Sequence, residues 1–287
     1  MGEPARAPTY MQIRLAIQAG VAVITLDRES KRNAQSRRMA AELLDALQRV
    51  EDSEARAVVV SGGPRVFSAG ADLAELLLPR GDEPEPFDVY QALAHCPLPT
   101  IAAIEGYCLA GGLLLALCCD LRIAGRGARL GYPEVRRGFP PGAGGTVRLL
   151  RLLGGARVME LLYFGDNLDA ATAHAWGLLN RVVDDGAATA EATAWAVRLA
   201  EAPPLAARTI KRIALETADA DLGVAIAHER GLGRGSAGIR PDPRPGVGLP
   251  RACARPVAPV LARERSNWGA TRRPVLNGLH HTYERAA

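Results

Sequence analysis

The chain has 287 residues, 48% of them apolar, enough for one sizeable core or a core with a helical appendage. No stretch approaches the roughly 18 to 20 consecutive apolar residues of a membrane span, and MGEPARAPTYMQ lacks the apolar segment of a secretory signal, so a cytoplasmic protein with no membrane partner is expected. The formal charge of +4 sits unevenly: residues 231–287 hold ten arginines against Asp242, Glu264 and Glu284, a net +7, leaving −3 on residues 1–230 and no basic, aromatic-studded face there for nucleic acid.

In chain order, residues 12–26 (QIRLAIQAGVAVITL) read as two short strands hinged at Ala19 and Gly20, a hairpin. From Ser36 to Val50, the spacing of Met39, Leu43, Leu44 and Leu47 predicts an amphipathic helix, and 57–60 (AVVV) a buried strand. Strand, helix, strand points to a layered α/β arrangement. The Gly-rich 61–73 (SGGPRVFSAGADL) and an acidic, Pro-bearing stretch at 81–86 read as loops, the second a mobile surface one. A second cycle follows, with a strand at 100–104, a turn at 105–109 and a helix at 111–119. Next come a strand pair at 121–124 and 128–131, a Gly/Pro loop at 137–146, and helices at 147–153, 156–164 and 170–176. Residues 187–230 are mostly helical by pattern. The expected organisation is a core over 1–190, a helical region over 191–230, and an Arg/Pro/Gly-rich tail over 231–287. Cys96, Cys108, Cys118, Cys119 and Cys253 are odd in number and lack CxxC spacing, which suits reduced thiols better than disulfides or zinc.

Two segments share a design in which a buried strand runs into a glycine-bearing corner and then a helix. One leads from 58–60 to Ser68-Ala69-Gly70-Ala71-Asp72-Leu73, the other from 101–104 to Gly106-Tyr107-Cys108-Leu109-Ala110-Gly111-Gly112. Small residues leave the backbone N–H groups uncrowded, and at a helix start those donors sit at the positive end of the dipole, where they suit an oxygen acquiring negative charge. Taken alone, each corner reads first as a tight turn, which is what glycine-rich turns most often are.

Together with its surroundings, the chain resembles the crotonase, or enoyl-CoA hydratase/isomerase, family. FSAGADLAEL (67–76), GYCLAGGLLLALCCDLRIAG (106–125) and LGYPEVRRGFPPGAGGTVRLLRLLG (130–154) are similar to its signature regions in order and spacing, as are ITLDRESKRNA (24–34) and GDNLDAATAHAWGLLNRVV (165–183). The resemblance covers about residues 12–230 and implies an α/β spiral of ββα units with a helical C-terminal region that joins subunits into trimers or pairs of trimers. It also implies an acyl-CoA thioester as substrate, with CoA present only as part of it and no other cofactor. The thioester oxygen would be held by the N–H groups of Ala71 and Gly111. Ala69, Gly70, Asp72, Leu73 and Ala74 would lie along the CoA moiety, beside the 28–34 turn whose Arg28, Lys31 or Arg32 could meet its phosphates.

Hydratases of the family place one glutamate three residues after the second corner's glycine and another in the Pro-Glu pair before PGAGGT. The later one is present as Glu134; the earlier position holds Leu114, which can neither accept nor donate a proton. Hydration wants one group to deprotonate a water while the α-carbon receives a proton. Moving a double bond from the 3- to the 2-position needs a single base, so isomerisation is the expected activity. Alternatives are hydration and a non-catalytic acyl-CoA binder. Glu134 could instead pair with Arg136 or Arg137. Tyr132 or Tyr107 could supply a second polar group. Leucines 113–115 could be core or an acyl-facing wall. His95 and His174 have no metal-ligand spacing, and GxSxG, Walker and dinucleotide signatures are absent.

Past Arg230 the resemblance stops. GLGRGSAGIRPDPRPGVGLPRACARPVAPVLARERS has no helical periodicity, and arginine outnumbers lysine 33 to 2 over the whole chain, as in a GC-rich coding sequence. A shifted reading frame near codon 230 and a functional arginine-rich tail are the two readings of it.

Overall fold

A computed structural model describes residues 9–76, 84 and 86–236. All fall in a unit that runs to Gly238; a second unit, Ile239–Ala287, lies outside the described residues, and with it the two readings of the tail. Most of the acidic loop predicted at 81–86 also lies outside them.

Positive φ at Ala19 (50°) and Gly20 (74°) makes a tight two-residue turn, joining β1 (Ile13–Gln18) to β2 (Val21–Leu26) in the antiparallel register Gln18↔Val21 to Ile13↔Leu26. Ser36 caps α1 (Arg37–Glu51), its side chain accepting the Met39 N–H at 3.1 Å, and Met39, Leu43, Ala46, Leu47 and Val50 form the buried face. β3 (Ala57–Ser61) then enters the large sheet. It is followed by β4 (Val66–Ser68), α2 (Leu73–Leu76), α3 (Pro86–His95), β5 (Thr100–Ile104), β6 (Tyr107–Leu109) and α4 (Gly111–Leu117). β7 (Leu121–Gly125) and β8 (Arg129–Gly131) lead to a 3-10 turn at Pro133–Arg137. α5 (Gly145–Leu153), α6 (Gly155–Phe164), β9 (Leu168–Asp169), α7 (Ala170–Trp176) and β10 (Arg181–Val183) follow, then α8 (Ala188–Glu201), α9 (Pro204–Glu216) and α10 (Leu222–Ser236).

The strands form a six-stranded sheet, β1-β2-β3-β5-β7-β10, parallel from β2 onward, and a four-stranded sheet, β4-β6-β8-β9, parallel from β4 to β8. From β3 to β8 each cycle sends its first strand to the large sheet and its second to the small one. The segments at 121–124 and 128–131, expected as a pair, therefore lie in different sheets. Likewise the turn expected at 105–109 contains β6, and the loop at 61–73 contains β4. These second strands have three residues each, too few to show an alternating pattern. The result is the expected α/β spiral of ββα units.

β3 and β5 are buried along their whole length, which explains their unbroken apolar runs. One face of the large sheet meets α1, α3 and α4. On the other, Ala188, Ala192, Ala196 and Ala200 of α8 form a stripe of small residues against Val59, Ile101 and Ile123. The expected C-terminal helices are α8 to α10. α10 runs on to Ser236, six residues past the predicted end; its Gly231, Gly233 and Gly235 each cost a helix about 1 kcal/mol, so the sequence reads as terminating there. Among the described residues no helix is long and apolar enough to cross a membrane.

Candidate active site

The site grows from three stretches of backbone laced together by short polar side chains. Arg32 and Asn33 take positive φ (55° and 50°), which folds residues 28–35 so that the Asn33 side chain points inward. Its Oδ1 accepts the Arg28 N–H at 2.8 Å and its Nδ2 donates to the Val66 and Phe67 carbonyls, both at 3.1 Å. Ser68 Oγ donates to the Asn33 carbonyl at 2.8 Å and accepts the Gly70 N–H at 3.2 Å. Gln35 then brackets the first corner, its N–H donating to the Gly70 carbonyl (2.8 Å) and its carbonyl accepting the Asp72 N–H (2.9 Å).

That bracket orients Ala71. The Gly70 carbonyl and the Ala71 N–H belong to one planar trans peptide, so pinning the carbonyl on Gln35 directs the N–H away from Gln35. At the second corner the Ala110 carbonyl accepts the Leu114 N–H at 3.0 Å, which orients the Gly111 N–H in the same manner. Both peptide units have an occupied carbonyl end. Among the described residues neither the Ala71 nor the Gly111 N–H donates a hydrogen bond.

The corners abut. A Cβ built on Gly70 (φ 99°) would lie 2.7 Å from Ala110 Cβ and 2.9 Å from Gly111 N; one on Gly111 would lie 3.3 Å from Ala71 N and 2.6 Å from Tyr90 Oη. One on Gly112 would lie 2.3 Å from the Ser68 carbonyl oxygen. The paired glycines at 111–112 thus answer two close approaches, one by the cavity-side groups and one by the protein's own backbone.

Ala69, Ala71, Leu73, Gly111, Leu114 and Glu134 all line one cavity of about 580 Å³, closed by aromatic and proline residues from α3 and the 139–143 loop. Of the leucines at 113–115 all are buried, and Leu114 alone lines the cavity. Glu134 is 8% exposed on the 3-10 turn that Pro133 begins, and burial pushes its carboxyl above the ordinary value of 4.5. The arginine pairing considered for it is not formed. Arg136 turns to Asp166 and the Phe164 carbonyl, and Arg137 acts on Glu134 only through its charge. Among the described residues the buried side-chain polar atoms with no hydrogen bond are Glu134 Oε2 and Tyr132 Oη, and both residues line this cavity. Tyr107, by contrast, is half exposed on β6.

Gly70 and Asp72 support the corner from behind rather than lining the cavity. Arg28 is drawn inward, its Nη1 2.7 Å from Asp72 Oδ2 and 2.9 Å from the Ala34 carbonyl oxygen, and the ion pair holds the Asp72 carboxyl below its usual range. Asp72 Oδ1 also accepts the Ala74 N–H at 3.1 Å and so starts α2. Arg28 is thus a strut between the 28–34 turn and the first corner, whereas Lys31 and Arg32 are exposed. Leu73 and Ala74 are exposed at the start of α2. The sequence reading missed Gln35, and it missed Phe87, Tyr90, Phe139, Pro140 and Ala143 on the cavity wall. Phe87 and Tyr90 are three apart in FDVYQALAH, a spacing that would have placed them on one helix face.

Comparison with known proteins decides the relationship. A family model described as enoyl-CoA hydratase/isomerase matches residues 16–233. The chain belongs to the enoyl-CoA hydratase/isomerase family. This family member is 37% identical over 216 residues to a probable enoyl-CoA hydratase of Mycobacterium leprae, covering 74% of this chain and 84% of the relative. It is 41% identical over 203 residues to the mitochondrial enoyl-CoA hydratase domain-containing protein 2 of Bos taurus, covering 67% and 69%. The crystal structure of an enoyl-CoA hydratase from Bacillus anthracis superposes with a TM-score of 0.75 at 32% identity, over 80% of this chain and 92% of that one. The crotonase fold is therefore that of this chain.

Proposed function

We propose that this crotonase binds an enoyl-CoA thioester with its carbonyl oxygen between the Ala71 and Gly111 N–H groups and shifts the double bond with Glu134 as its sole acid/base. The observation that carries this is the shared cavity. Ala71 and Gly111, whose N–H groups are unspent, line the same space as the raised-pKa carboxyl of Glu134 and the apolar Leu114. Removing an α-proton beside a thioester leaves an enolate whose charge collects on the oxygen. Fixed donors aimed at that oxygen stabilise it by several kcal/mol, about 3 to 4 for a single donor. Glu134 takes the α-proton from a 3-enoyl thioester, becomes neutral among apolar neighbours that favour the neutral form, and returns the proton at the γ-carbon. No water enters the balance, which suits a leucine where a second acid would stand.

Lys31 and Arg32, exposed beside the first corner, would meet the CoA phosphates. Alanine at both positions then weakens binding of an acyl-CoA and leaves binding of the corresponding pantetheine thioester unchanged. Exposed Ile210, Leu222 and Val224 on α9 and α10 support self-association of this region into a homotrimer or pair of trimers, which sedimentation equilibrium measures.

Hydration is the second reading, favoured by the names of the relatives at 37% and 41% identity. Supplying a 3-enoyl-CoA and a 2-enoyl-CoA separates the two. Isomerisation of the first with slow hydration of the second is expected; ready hydration with no isomerisation overturns the one-base reading. Loss of turnover in Glu134→Gln with acyl-CoA binding retained excludes a passive binder.

A further inference from the structure

The two corners that hold the unspent amides come from distant chain segments yet line one cavity, and holding one thioester oxygen would require both N–H groups to keep a fixed relation to each other. One side chain spans them. Gln35 lies 4% exposed between β2 and α1; its main chain brackets Ala71 through Gly70 and Asp72, and its side-chain Nε2 donates to the Gly111 carbonyl at 3.1 Å. The other end of the amide is occupied too, with Oε1 accepting the Tyr90 hydroxyl at 2.5 Å. A weaker contact of 3.4 Å joins Nε2 to Ser68 Oγ, itself the acceptor of the Gly70 N–H.

We propose that Gln35 is a positioning residue for the reaction: its backbone aims the Ala71 amide, its side chain fixes Gly111 relative to it, and Tyr90 locks the amide so that it cannot turn. The proposal rests on the reading of Ala71 and Gly111 as the thioester-oxygen donors. The chemistry of the side chain is specific. An amide presents a donor and an acceptor at one end of a short stem, so it can face a carbonyl and a hydroxyl at once. A methionine of similar length fills the space and can do neither. A glutamate keeps the acceptor for Tyr90 but turns an oxygen toward the Gly111 carbonyl. Because buried polar groups left unpaired are costly, each replacement also releases Tyr90 or Gly111 from its present geometry. Displacing a donor by a fraction of an ångström costs a developing oxyanion more stabilisation than it costs the neutral ground state, so the effect falls on turnover more than on binding.

The experiment uses the full chain, its Gln35→Met, Gln35→Glu and Tyr90→Phe variants, and a conjugated arylacryloyl-CoA whose absorption moves to longer wavelength when its thioester carbonyl is polarised. For the unaltered chain, a red shift on binding and isomerisation of a 3-enoyl-CoA are expected. Gln35→Met should lose most of the red shift and about ten- to a hundredfold in kcat, with KM changed less than about threefold. Tyr90→Phe should show the same signs more weakly. Unchanged red shift and kcat in folded Gln35→Met overturn the proposal, as does a loss seen only in melting temperature. If Gln35→Met does not fold, Tyr90→Phe decides in the same way, a full red shift and unaltered kcat overturning it. Absence of any red shift in the unaltered chain overturns the donor reading itself, and that outcome is distinct from a shift that survives the Gln35 changes.

Discussion

The Tyr90 hydroxyl stands where a side chain on Gly111 would begin: a Cβ there would lie 2.6 Å from Tyr90 Oη. Tyr90 is buried and bonded to Gln35, so its hydroxyl can yield only by giving up that bond. Gly111→Ala should therefore displace the second corner, lowering kcat by about a hundredfold and stability by about 1 to 3 kcal/mol. Steady-state kinetics and denaturant unfolding measure the two effects. Adding Tyr90→Phe removes the atom that clashes, so the double variant should recover part of the lost stability; no recovery would place the cause elsewhere.

With Glu134 as the base, activity and stability should run in opposite directions with pH. Its folded-state pKa is raised above the ordinary 4.5 by burial, so the folded protein binds this proton more tightly than the unfolded chain. The contribution to stability is present below 4.5 and is lost as pH rises through the folded pKa. Glu134→Gln cannot ionise and escapes that loss. Its melting temperature should match that of the unaltered protein at acid pH and exceed it at neutral pH, while turnover is abolished. In the unaltered enzyme kcat/KM should rise with pH along a limb that lies above 4.5, since the base must be ionised to take the α-proton. A limb at or below the ordinary carboxylate value argues against Glu134 as that base.

Ala110 is the strained link before Gly111, with φ 53° and ψ −127°, a conformation that favours glycine. Such a residue costs about 1 to 3 kcal/mol, and the entropy that glycine adds to the unfolded chain is about 0.4 to 1 kcal/mol. Ala110→Gly should therefore raise stability by about 1 kcal/mol in urea unfolding. A loss of stability there would mean that the Ala110 methyl, which also packs near Gly70, matters more than the strain.

The elements with long apolar runs or clear helical period were legible in the sequence. β3 and β5 show as unbroken buried stretches, α1 as a spaced face behind a serine cap, and the hairpin as small residues at Ala19 and Gly20. The three-residue strands were not, because β4 and β6 are specified by their neighbours in the small sheet rather than by their own alternation. At the site, the glycine corners leave local marks in their special backbone, whereas Glu134 is singled out only through the family resemblance, since a lone acid beside two arginines has no mark of its own. Arg28 could not be told from Lys31 and Arg32: all are cations in one turn, and only the inward course of the chain gives Arg28 its partner Asp72. Gln35 left no mark at all, as its partners Gly70, Asp72, Tyr90 and Gly111 are distant in sequence and a buried glutamine has no pattern of its own.

The proposed choice of reaction is tested most directly at Leu114. It is 2% exposed, it lines the cavity with Glu134, and no polar group of its own reaches the substrate. Leu114→Glu places a second carboxyl there, and two acids sharing a buried site cannot both ionise freely, so one stays protonated at neutral pH. That is the division hydration needs, one group to activate water and one to deliver a proton to the α-carbon. Hydration of a 2-enoyl-CoA should rise at least tenfold over the unaltered chain. Isomerisation should fall, because the raised pKa of the pair leaves less ionised base. The buried carboxyl should also lower stability by a few kcal/mol. Leu114→Gln has the same shape and polarity without the proton chemistry, so it should lose stability comparably and gain no hydration. If Gln and Glu at this position hydrate equally, water access rather than a second acid sets the rate; if neither hydrates, the leucine is not what separates this cavity from a hydratase's.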